Sequence, residues 1–147
     1  MGYITNEDLE RRLGSEAFLE LTDDEGTGQP NTARADEARL GAEGEADSYF
    51  AARYAVPVEL GADPRVAAVV RSFVLDLAAY RLHGRRPPVP ADAARRRDEA
   101  VAWLREVARG TAHLPASVVL RDNPALGDRA AAAGPARAMT REGLDGL

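Results

Sequence analysis

The chain has no cysteine among its 147 residues. That excludes disulfides, thiolate metal sites and cysteine nucleophiles, and it suits a reducing compartment. Lysine is missing too. All 19 basic residues are arginine, which beside abundant Ala and Gly reflects GC-rich coding as much as selection, so the choice carries little functional weight. Histidine is limited to His83 and His113, which share no spacing motif, and the sequence lacks a P-loop, GxGxxG, HExxH or GxSxG. An enzyme needs an acid, base, nucleophile or metal converging on one point, so we expect no enzyme and assign no catalytic, cofactor or metal residue. His83 is expected near a helix C-terminus as a dipole-compatible residue. No apolar run approaches the ~18 residues of a membrane span. The opening MGYITNEDLERRL has acids and arginines where a signal peptide needs an apolar stretch. The expectation is a soluble protein made in the cytoplasm, without a standard export signal or a membrane partner.

What is present suffices for one core. At 45% apolar residues the chain supports a single helical domain, placed at 1–115, and a C-terminal arm at 116–147. The segment Asp63 to Gly84 organises the rest. Asp63 suits the N-cap, Pro64 the first helical position and Gly84 a left-handed C-cap. Between them Val66, Val69, Val70, Phe73, Val74, Leu77, Ala78, Tyr80 and Leu82 cover more than one helical face, predicting a largely enclosed central helix with Phe73 and Leu77 at its heart. The fold class expected is all-α, a small helical bundle around one central buried helix with a flexible C-terminal arm.

Thr5 and Asp8 form a capping-box pattern, with Ile4 and Leu9 as its apolar staple, and predict a short helix from Asn6 to Leu13. Ser15 is expected to cap a second short helix anchored by Phe18, Leu19 and Leu21. A third helix runs from Asn31 or Thr32 to about Ala52, with a bend or close approach expected at Gly41 and Gly44. Tyr49, Phe50 and Tyr54 at its end are expected in the core, before Pro57 stops it. A last helix spans Ala91 or Asp92 to Arg109 and closes at Gly110. Ser117 to Leu120 is predicted as a short strand or arm, and 122–147, rich in Ala, Gly and Pro, as mobile.

Two charged stretches invite functional readings. In the loop 22–31, Asp23, Glu25, Thr27, Gln29 and Asn31 fall at positions 1, 3, 5, 7 and 9 of an EF-hand-like loop, with Gly28 at position 6. The match breaks at Pro30 and at position 12, where Arg34 replaces the bidentate Glu, so the stretch is read as a solvated acidic turn and not as a calcium sensor. Around the Pro-rich connection, Arg81, Arg85, Arg86, Arg95, Arg96 and Arg97 place six guanidinium groups within 17 residues. They form either a solvated face partly neutralised by Asp92, Asp98 and Glu99, or a surface for phosphate or protein. Residues 1–50 hold 13 acids and four arginines (−9), whereas 51–110 hold seven acids and 11 arginines (+4). Such a split favours neither a nucleic-acid-coating nor a uniformly acidic protein.

The order YITNEDLERRLG, LTDDEGTG, DSYFAARYAVPV, AAYRLHGRRPP and AVAWLREVARGT, over about residues 3 to 115, resembles the Mu-like phage and prophage head-to-tail joining family. Glu25 stands where the family's acidic turn has a second Asp. The resemblance implies a non-enzymatic, all-α adaptor at the head–tail junction of the virion. Its copies would form a ring, dodecameric to match the portal, that contacts portal and tail or stopper proteins. DNA would pass through the lumen without sequence specificity. An acidic front and a basic middle are one way to supply the two complementary faces of such a ring. The competing reading is a small helical nucleic-acid-binding or regulatory module that uses the arginine-rich connection.

Overall fold

The computed structural model describes residues 2–61 and 63–115. Its regular elements are five helices: α1 (Asn6–Leu13), α2 (Ser15–Thr22), α3 (Thr32–Phe50), α4 (Pro64–His83) and α5 (Ala91–Arg109). The arm expected at 116–147, with its short strand at Ser117 to Leu120, lies outside the described residues.

Side-chain caps set most of the boundaries. Thr5 Oγ1 accepts from the Asp8 amide at 3.1 Å while Asp8 Oδ2 accepts from the Thr5 amide at 2.9 Å, so two otherwise orphaned donors of α1 are satisfied. Asn31 Oδ1 accepts from Ala33 and Arg34 at the start of α3, and Asp63 Oδ1 from Arg65 and Val66 at the start of α4. Gly110 takes the left-handed conformation that closes α5 (φ 81°, ψ 14°).

Two expected caps are different. Ser15 is the first residue of α2 and not its cap, because Gly14 alone joins the two helices. Its amide donates to Glu10 O at 2.7 Å, its carbonyl accepts from Phe18 N at 2.9 Å, and its φ of 86° makes the corner. Gly84 is right-handed (φ −62°, ψ −19°), because the chain continues turning past α4 through Arg85 N to Leu82 O and Arg86 N to His83 O, both at 3.1 Å.

Helix α4 packs against each of the other four helices, but so does α3. The centre is therefore a pair, with α5 packed across one side of it and α1 and α2 packed on the other. A single central helix was the sequence expectation; α3 shares the role because Ala35, Ala38, Ala42 and Ala46 form a buried stripe that lets α4 approach closely. α3 runs through Gly41 and Gly44 as one helix. Gly41 matters for another reason: a Cβ there would lie 3.0 Å from Arg81 Nη1, so the glycine lets that guanidinium rest on the helix.

Val70, Val74, Leu77, Ala78 and Leu82 of α4 are buried, as expected. Val69 is 43% exposed and Phe73 only partly buried, which corrects the reading of α4 as enclosed on most sides. Phe50 is the large aromatic at the centre. It is fully buried between Tyr3 and Trp103, both edge-to-face at 6.1 Å, while Phe73 stacks on the outer side of Trp103 at 4.7 Å. Tyr54 is buried too, its hydroxyl accepting from the Leu114 amide at 3.0 Å.

Candidate interaction surface

The helices bring the arginine connection onto the acidic loop. Asp24 meets three guanidinium groups: Arg85 at 2.5 Å, Arg34 at 3.2 Å and Arg86 at 3.8 Å. Arg85 also donates to the Leu21 carbonyl and Arg86 to the Asp23 carbonyl at 3.0 Å, so the end of α2 is tied to the turn after α4. The Arg85 hydrogen bond holds the Asp24 carboxyl below its ordinary range. Asp23 is also held low, by the amides of Thr27 and Gly28 that donate to it at 3.0 and 2.8 Å. Both carboxylates favour the folded loop above the ordinary carboxylate range and lose that contribution as pH falls through their lowered values.

This geometry leaves little for calcium. Asp23 is spent on its own loop, Asp24 on three arginines, and Arg34 stands where a bidentate carboxylate would be needed. No group of His, Asp or Glu among the described residues is arranged to hold a metal. Millimolar calcium is expected to leave the melting temperature unchanged; a rise would show that the ion binds the folded loop.

The other candidate arginines separate into distinct settings. Arg81 crosses to Glu45 at 2.9 Å, and Arg97 reaches the same carboxylate at 3.9 Å while lying 5.5 Å over the Tyr80 ring. Arg95 pairs along its own helix with Glu99 at 2.7 Å and Asp92 at 3.8 Å. Arg96 lines a different groove of about 210 Å³, together with Arg12, Asp76, His83 and Asp92. The six residues therefore do not form one face. Arg81 and Arg85 do share a second groove, of about 280 Å³, with Arg34, Glu37 and Ala38.

In the Arg96 groove, Asp76 is almost fully enclosed and hydrogen-bonded to Arg12, which also reaches Ser72 Oγ at 3.2 Å. Burial pushes the Asp76 carboxyl up, against the pull of Arg12 and Arg96. His83 sits at the C-terminus of α4 as expected, and burial pushes its pKa down.

Asp24 and the Arg12–Asp76 pair were not singled out from the sequence, and Arg34 only as the residue that breaks the calcium-loop pattern. The acidic loop and the basic connection each stood out, but their partnership spans 61 positions between Asp24 and Arg85.

The model of the family described as Bacteriophage Mu, Gp36 matches residues 3–132. The chain belongs to that family. It is thus a Mu-like phage protein with an all-α fold. No curated protein matches it. The Gp36 match covers all five helices, including both sides of the arginine–carboxylate tie.

Proposed function

We propose that this Gp36-family protein is a structural component of the virion, a connector placed between portal and tail whose copies assemble into a ring around the DNA path. Membership of a Mu-like phage family is the observation that carries the reading. The all-α fold and its charge-paired surface are compatible with an assembly role. We place it at the head–tail junction and give it portal and tail or stopper proteins as neighbours. Twelve copies would match a dodecameric portal. DNA passes through the lumen without being read.

The nucleic-acid-binding alternative is weakened by the pairing described above. Arg81, Arg85, Arg86, Arg95 and Arg97 each face a carboxylate, and these acids interrupt the continuous basic stripe that a phosphate backbone would need. An in vitro joining reaction tests the connector reading. Heads and tails from phage lacking this gene should remain separate, and the purified chain should join them, as counted by electron microscopy. Efficient joining without the protein would dismiss the role.

A further inference from the structure

We propose that the groove lined by Arg34, Glu37, Ala38, Arg81 and Arg85 receives the exposed face of α2 from a second copy of this chain, Arg81 and Arg85 taking the carboxylates of Glu16 and Glu20. The inference rests on the connector reading, which requires each copy to touch the next, and it names the surfaces. Spacing is the first argument. Arg81 and Arg85 are four residues apart on a backbone that keeps turning through Gly84. Glu16 and Glu20 are four apart on α2, both exposed. One helical turn separates the members of each pair, about 5–6 Å between Cβ atoms, so two guanidinium groups meet two carboxylates in register.

Supply of partners is the second argument. Asp24 is shared by Arg34, Arg85 and Arg86, and Glu45 by Arg81 and Arg97, so five arginines divide two carboxylates with only Glu37 and Asp98 at the edges. Each guanidinium has five N–H donors, and donors remain for an incoming acid. Glu16 and Glu20, by contrast, have no cationic partner among the described residues.

Sedimentation velocity of the purified full chain tests this. Wild type should self-associate with rising concentration at low salt and dissociate at high salt. Arg81→Glu and Glu20→Arg, each checked for helicity by circular dichroism, should each weaken association about tenfold or more, the size of one good interfacial charge pair. An equimolar mixture of the two variants should regain it, since one acceptor and one donor face then match. Arg81 is chosen because Arg85 also ties down the end of α2. A wild type that stays monomeric, variants that associate like wild type, or a mixture that regains nothing would each overturn the proposal. So would binding of a labelled DNA duplex that depends on Arg81, which would make this a phosphate site. If the joining reaction succeeds while Arg81→Glu associates normally, this contact is wrong and the connector reading stands. If association depends on Arg81 and Glu20 but joining fails, the contact stands and the connector reading falls.

Discussion

Phe50→Ala is expected to destabilise the folded chain by about 3–5 kcal/mol, the largest effect of any single truncation in this core. The ring is fully buried and contacts Tyr3 from the N-terminal segment and Trp103 from α5, so its loss leaves a void where three parts of the chain meet. Neither neighbour is free to collapse into that void. Tyr3 is fixed by its hydroxyl, which donates to Asp47 at 2.5 Å and accepts from the Val58 amide at 2.8 Å, and Trp103 is held by Phe73 on its other side. Phe73→Ala should cost clearly less, because that ring is only partly buried and its removal opens toward solvent. Urea melts of the two variants make the comparison. Equal losses, or a larger one for Phe73, would show that the aromatic centre is wrongly placed.

The contrast between the two phenylalanines marks how far the sequence could be read. Local chemistry was legible: the capping box of Thr5 and Asp8, the Asp63 cap and the terminal Gly110 each act within a few residues of a helix end, and the helices begin and end there. Periodicity also marked α4 as apolar on most of its circumference, but it could not say which of those positions α3, α5 and α1 would cover. Val69 falls where the covering helices do not reach, and Phe73 at their edge, where α5 covers it through Trp103 on one side alone.

At the candidate surface the limit is sequence distance. Runs of arginine and of acid look alike whether they await another subunit or each other. Only the packing of α2 and α3 against α4 brings Asp24 to Arg85, and so turns part of the apparent −9 to +4 polarity into internal pairing. What is left over, Glu16 and Glu20 on one side and spare donors on Arg81 and Arg85 on the other, could be identified only after that pairing was subtracted.

Arg12→Ala should produce the second large loss, and a pH-dependent one. The arginine is the hydrogen-bonding partner of Asp76, an α4 residue about 90% enclosed, and removing it leaves that carboxylate with only the longer-range pull of Arg96. Breaking a buried pair from one side costs about 3–5 kcal/mol; the partial exposure of Arg12 puts this variant toward the lower end of that range. The sign with pH follows from Asp76, whose folded-state pKa is raised by burial. For an acid in that direction, the fold tolerates the protonated form freely and loses stability as pH rises from the ordinary carboxylate value through the raised one. Without Arg12 the folded value rises further, so the deficit should be largest at neutral pH and shrink on acidification toward pH ~4. The double variant Arg12→Met with Asp76→Leu should return close to wild type at neutral pH, because it removes the desolvated charge along with its partner. Thermal melts of the three proteins at neutral and acidic pH carry the test. An Arg12→Ala deficit that is the same at both pH values would show that the arginine contributes through packing of its stem and not through Asp76.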